Sequence, residues 1–134
     1  AENDRLVLKS LRVTCGTDGP QEAVMTLSIE GQDVSTTATG DGPVDATFNA
    51  VKALYAHTAR LQLYQVHAVT EGTDAQATVS VRMEEDGNIS TGESADTDTV
   101  VASARAYLNA LNRLLVRRDR IGEDHKEINY KDYS

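Results

Sequence analysis

The sequence predicts an α+β fold made of two similar units, βββα followed by βββα, each an antiparallel three-stranded sheet packed with a helix. Three observations carry this reading. Apolar residues alternate with period two at residues 22–30 and again at 77–84. Each alternating stretch is followed by one more strand-like run and then by a segment of helical period. Landmark residues of the first half recur in the second at an offset of about 55 residues, the mark of an internal duplication.

The first strand is RLVLKSLRVT, Arg5–Thr14, rich in Leu and Val. Gly16-Thr17-Asp18-Gly19-Pro20 follows as turn chemistry, with Gly free to take positive φ and Pro fixing its own. In the second strand Ala23, Met25, Leu27 and Ile29 share one face, and Val24, Thr26, Ser28 and Glu30 the other. That is the pattern of a half-buried antiparallel strand. Gly31-Gln32-Asp33 reads as a tight turn, and VSTTAT (34–39) returns as a third strand. The period then changes. Val44, Phe48, Val51 and Tyr55 recur at helical spacing behind Gly40-Asp41-Gly42-Pro43. Pro43 suits the first helical position, whose N–H has no partner in any case, and Asp45 in the first turn favours the positive end of the helix dipole.

The second unit repeats the order. Residues 60–70 (RLQLYQVHAVT) read as a strand and Gly72-Thr73-Asp74 as a turn. Ala77, Val79, Val81 and Met83 then alternate against Thr78, Ser80, Arg82 and Glu84. Glu85-Asp86-Gly87-Asn88 is a hairpin turn with Asp-Gly inside it, and Ile89-Ser90-Thr91 opens the sixth strand. Ala95-Asp96-Thr97-Asp98 caps a second helix whose stripe runs Val100, Val101, Ala104, Tyr107, Leu108, Leu111, Leu114 and Leu115. Arg113, Arg117 and Arg118 complement the negative end of its dipole. Gly16-Thr17-Asp18 aligns with Gly72-Thr73-Asp74, Val34-Ser35-Thr36 with Ile89-Ser90-Thr91, and Asp41 with Asp96. The expected organisation is one domain over residues 5–118, built of units at about 5–58 and 59–118. Residues 119–134 lose periodicity and read as a C-terminal tail.

Composition excludes several classes of function. The 134 residues carry a net charge of −8, divided as −10 over residues 1–104 and +2 over 105–134, which is not a surface built for phosphate backbones. Nucleic acid is not an expected partner. Apolar runs are only a few residues long, so no membrane span is expected, and Glu2, Asn3, Asp4 and Arg5 at the start make no signal-peptide pattern. The single cysteine, Cys15, forms no internal disulfide and reads as a small buried apolar residue in a cytoplasmic protein.

A catalytic constellation is not readable. His57, His67 and His125 have no ligand spacing among them, and His67 on a strand reads as a packed or half-exposed histidine. Gly40-Asp41-Gly42-Pro43 lacks the Gly-Lys-Ser/Thr ending of a phosphate loop. The two helix starts are the better candidates. A helix N-terminus offers unpaired N–H groups to a small carboxylate, glycine lets a ligand approach the backbone, and Asp41, Asp45, Asp96 and Asp98 could serve an ammonium group. Together these describe a free amino acid. The same residue types also serve plain capping, the commoner use, and the residues alone leave both readings open.

GDGPVDATFNAVKAL (40–54), Tyr64 with HAVTEGTDA (67–75), and TDTVVASARAYLNALNRLL (97–115) resemble the C-terminal regulatory domain of the 2-isopropylmalate synthase family. The resemblance covers roughly residues 5–118. It implies a non-catalytic, dimer-forming module that binds L-leucine, the inhibitor of the condensation of acetyl-CoA with 3-methyl-2-oxobutanoate. It places the effector site on Gly40, Gly42, Pro43, Val44 and Asp45 of the first unit, on Tyr64, Ala68 and Ala75, and on Ala95, Asp96, Thr97 and Asp98 of the second. It also implies a homodimer, no cofactor in this domain, and a separate catalytic barrel with a divalent metal that these residues do not contain. The isoleucine-sensing domain of a citramalate synthase and a purely structural dimerisation module are the alternatives.

Overall fold

The computed structural model describes residues 5–68 and 76–133, with side chains described for 5–67 and 76–116. The order is β1 (Leu6–Thr14), β2 (Gln21–Ile29), β3 (Gln32–Gly40), α1 (Pro43–Leu54), β4 (Arg60–Ala68), β5 (Ala77–Glu85), β6 (Asn88–Asp96) and α2 (Thr99–Tyr133). Two antiparallel sheets form, ordered β1-β2-β3 and β4-β5-β6, so the expected duplicated βββα architecture is the one observed.

Both hairpins turn the same way. Ile29 pairs with Gln32 and Glu85 with Asn88, leaving two-residue loops at Glu30-Gly31 and Asp86-Gly87. All four loop residues have positive φ, 53° and 87° in the first loop and 53° and 84° in the second. This is the type I′ turn that matches strand twist. The first turn therefore sits one residue earlier than Gly31-Gln32-Asp33, because Gln32 already pairs in β3. These loops and the helix starts are 56 residues apart, so the true counterparts at the helix starts are Gly42 and Asp98 rather than Asp41 and Asp96.

Bulges also repeat. The register slips between Leu8 and Ser10 in β1 and between Leu61 and Leu63 in β4. An extra residue reverses the facing of all that follows, which keeps Leu6, Leu8, Leu11 and Val13 on the inner side of β1 although their spacing is not strictly alternate.

The inner rows Ala23, Met25 and Leu27 of β2 and Val79, Val81 and Met83 of β5 are wholly buried. Helix α1 covers β2 and β3, α2 covers β5 and β6, the helices touch each other, and α2 also reaches β1. At this last contact buried Asn112 acts as a strand neighbour would: its amide donates to the Leu6 carbonyl at 2.9 Å and its oxygen accepts from the Leu6 N–H at 3.0 Å. One polar side chain thus satisfies both groups of an edge strand and ties the units together. Against β6 the helix lies very close. A Cβ added at Gly92 would collide with the backbone of Ala106 and Ala110.

One further expectation needs correction. Cys15 is exposed, not buried, because the chain has left the sheet after the Thr14–Glu22 pair and entered the turn. The backbone of α2 stays helical to Tyr133, through the segment read as an aperiodic tail. What ends there is the apolar stripe, while the run of Arg, Glu and Lys retains good helix propensity. Of the histidines, His67 is exposed on β4, and the His125 side chain lies outside the described residues.

Candidate functional site

The two helix starts are built by opposite means. Gly42, with φ −151° and ψ 174°, is the N-cap of α1 and offers no side-chain cap to the first turn. Pro43 has no N–H to satisfy, which leaves the N–H groups of Val44 and Asp45 as the first-turn donors. Asp45 instead reaches backward, its Oδ2 accepting from the Asp41 N–H at 2.9 Å. Gly40 lies under this turn, where a Cβ would run into the Ala46 backbone and the Asp45 carboxylate; the space around Gly42 is open. Glycine is therefore a packing requirement at 40 and not at 42.

At α2 a carboxylate does the capping. Asp98 Oδ1 accepts from the N–H groups of Val100 at 2.8 Å and Val101 at 3.3 Å. Asp96 Oδ1 accepts from the Asp98 N–H at 2.8 Å, and its Oδ2 meets the Arg105 guanidinium at 3.3 Å. Thr97 is exposed, with its hydroxyl 3.5 Å from Asp96 Oδ1. Below the caps the two helices match again: Thr47 Oγ1 donates to the Pro43 carbonyl and Ser103 Oγ to the Thr99 carbonyl, both at 2.7 Å.

Both starts open on one cavity of about 270 Å³, near the lower end of small-molecule sites. Pro43 comes from α1; Asp98, Val100 and Val101 from the start of α2; and Leu11, Val13 and Cys15 from β1 and its end. Of the residues assigned from sequence, Pro43 and Asp98 thus face the same space, with Gly42, Val44 and Asp45 beside the first and Asp96 and Thr97 beside the second. Tyr64, on β4, lies elsewhere, against α2. Its hydroxyl lies 2.7 Å from Ser103 Oγ, and since Ser103 gives its proton to Thr99, Tyr64 is the donor. Its ring meets Phe48 edge-on at 5.9 Å. Ala95 is exposed on β6 opposite Thr78. Ala68 ends β4, pairing with Ala77, and its side chain is outside the described residues, as is the whole of Ala75.

Leu11, Val13, Val100 and Val101 escaped the sequence reading as site residues. The available signal was weak, because the bulge at Lys9 breaks the alternation that would have put Leu11 and Val13 on the inner face.

A second cluster joins the units beneath the helices. Phe48 stacks on Tyr107 with centroids 4.4 Å apart, and the Tyr107 hydroxyl lies 3.1 Å from His57 Nε2. Burial raises the Tyr107 phenol well above the ordinary tyrosine range by penalising the phenolate. Among the described residues no three His, Cys, Asp or Glu side chains gather as a metal site, and no helix is long and apolar enough to cross a membrane.

Fold and site together define a duplicated α+β module with a small cavity where its units meet. The chain belongs to the LeuA allosteric (dimerisation) domain family, whose model matches residues 1–115. It is 58% identical over 118 residues to a 2-isopropylmalate synthase of a Caulobacter species, covering 88% of this chain and 22% of that protein. Synthases of Bradyrhizobium diazoefficiens (58% over 120 residues, 90% and 23%) and Rhodopseudomonas palustris (58% over 118 residues, 88% and 23%) are similar to the same extent. The chain spans less than a quarter of the length of these relatives.

Proposed function

We propose that this chain is the effector-binding and dimer-forming module of a 2-isopropylmalate synthase. It binds L-leucine and thereby inhibits the condensation of acetyl-CoA with 3-methyl-2-oxobutanoate on a separate, metal-dependent catalytic barrel in the cytoplasm. The module occupies residues 5–118. The family resemblance implies an effector site of Gly40, Gly42, Pro43, Val44 and Asp45, then Tyr64, Ala68 and Ala75, and Ala95, Asp96, Thr97 and Asp98; of these, Pro43 and Asp98 line the cavity and Tyr64 stands away from it against α2. One observation carries the reading within the established family: the starts of both helices, one with free first-turn donors and one bearing carboxylates, meet at a single cavity. Backbone N–H groups at Val44 and Asp45 suit a carboxylate, and the Asp98 carboxylate suits an ammonium group.

The homodimer reading is supported by a row on β4. Leu61 and Val66 pair with buried Met83 and Val79, and so face the helix side of the sheet. They are nevertheless 42% and 44% exposed. An uncovered apolar row on the inner side of an edge strand is suited to burial by a partner copy. Inhibition then requires leucine to bind two states of the assembly with different affinity, because equal affinity would shift nothing.

Calorimetric titration with leucine, isoleucine and valine, with light scattering for the oligomeric state, tests the proposal. Leucine-selective saturable heat on a dimer is expected, and Gly42→Ala or Asp45→Ala weakens it about tenfold or more while the fold persists. Isoleucine selectivity would point to a citramalate synthase module. A folded dimer that gives no heat with any of the three would reduce the chain to a structural dimerisation module.

A further inference from the structure

The N-terminal end of β1, Arg5–Leu8, is set off from the rest of its strand. Val7 pairs with Ser28 and Leu8 with Leu27, but Ser10 is already opposite Thr26, so the extra residue at Lys9 interrupts the ladder. A bulge bends its strand and leaves one residue unpaired, which is where a strand can hinge. On the β2 side the end is held by the Arg5 carbonyl, which accepts from the Glu30 N–H at 2.8 Å, and by the Arg5–Glu30 ion pair at 2.6 Å. On its other side β1 is the edge of its sheet, and there the Asn112 amide grips both backbone groups of Leu6, at 2.9 and 3.0 Å. Packing beneath is incomplete. A cavity of about 280 Å³ is lined by Leu6 and Leu8 of the strand end and by Arg105, Leu108 and Asn109 of α2.

The second unit has no such grip. Its helix follows that of the first by 56 residues, which makes Ala56 the counterpart of Asn112; Ala56 is exposed and lies past the end of α1 at Leu54. The duplication thus repeats the bulged strand but supplies the clasp once, so the clasp is not a requirement of the βββα unit itself. We infer that Arg5–Leu8 is a strap that opens about the Lys9 bulge, and that Asn112 is its latch. Closed, the strap ties β1 to both units, through Glu30 of the first and α2 of the second. Open, β1 moves with the first unit alone and the cavity beneath it joins the solvent. Both bonds run to one planar amide, so a shift of α2 along its axis by about 1 Å misaligns donor and acceptor together, and the latch lets go as a unit. The latch needs no ligand and is independent of the effector reading.

Native-state hydrogen exchange of the whole chain, followed amide by amide in increasing urea, tests the strap and the latch. In the wild type, Leu6 and Val7 should exchange about tenfold or more faster than Arg12 and Met25, and with little dependence on urea, the mark of a local opening. Asn112→Leu, close to Asn in volume, should speed exchange at Leu6 and Val7 about tenfold or more and leave Arg12, Met25 and Val81 nearly unchanged. Glu30→Gln, a surface change, should speed the same two amides about twofold. Exchange of Leu6 and Val7 only with global unfolding would overturn the strap. Equal acceleration at every amide in Asn112→Leu, or failure of that variant to fold, would make Asn112 a plain structural contact and overturn the latch. Unchanged rates at Leu6 and Val7 in both variants would do the same.

Discussion

The starts of α1 and α2 occupy equivalent places in a duplicated fold and solve the same physical problem differently. At α2, Asp98 consumes two of the unpaired N–H groups itself, and Asp96 braces Asp98 and Arg105. At α1, the residue in the place of Asp98 is Gly42, which has nothing to cap with, and Pro43 lowers the number of donors instead. One start is closed by its own side chains and the other is left for something else to close. The difference teaches that a cap and a binding site are alternative uses of one geometry, and that a duplicated fold can hold one copy as scaffold while the other stays receptive.

Substitutions at the two starts should separate these uses. Gly40→Ala is expected to have the largest effect, a loss of about 3 kcal/mol in urea denaturation, because its Cβ meets helix backbone that cannot move away. In open space, Gly42→Ala should cost only about 0.5 kcal/mol. Equal losses at 40 and 42 would break the distinction between packing glycine and ligand-facing glycine. Tyr107 probes the junction of the units. Its phenol is raised in the folded state, so the stabilisation is fully present below the unfolded value of about 10 and is lost as pH rises beyond it. Denaturation midpoints should therefore fall as pH rises above about 10, and Tyr107→Phe should flatten the fall. A variant that falls as steeply as the wild type would remove Tyr107 as the cause.

Smaller effects sharpen the comparison. Asp98→Ala should cost about 1 kcal/mol through loss of the α2 cap, read as a lower midpoint. Gly42→Asp copies the α2 solution onto α1. It should raise stability by a few tenths of a kcal/mol and weaken leucine binding, since the new carboxylate competes for the same donors. Unchanged leucine affinity in Gly42→Asp would mean that the α1 start is not where the ligand carboxylate sits.

Much of the fold was legible because burial is one-sided. Ala23, Met25 and Leu27, and Val79, Val81 and Met83, alternate in sequence and are wholly buried in the structure. The Pro43 helix start was equally plain. The bulge at Lys9 was not, since one extra residue is invisible in a run of Leu and Val until its partner strand is known. That slip hid Leu11 and Val13. Cys15 was misread because burial near a strand end depends on where pairing stops, at Thr14. Of the site, the two helix starts could be read from local residue types. Their meeting at one cavity could not, because it depends on how β1 packs near α2, nearly a hundred residues away along the chain.

The most direct test of an amino-acid site shared by both helix starts is amide hydrogen exchange of the whole chain with and without saturating L-leucine. Slower exchange at Val44 and Asp45 of α1, together with slower exchange around Asp98–Val101 of α2, is the expected result. Saturable leucine binding that leaves exchange at both starts unchanged would contradict it.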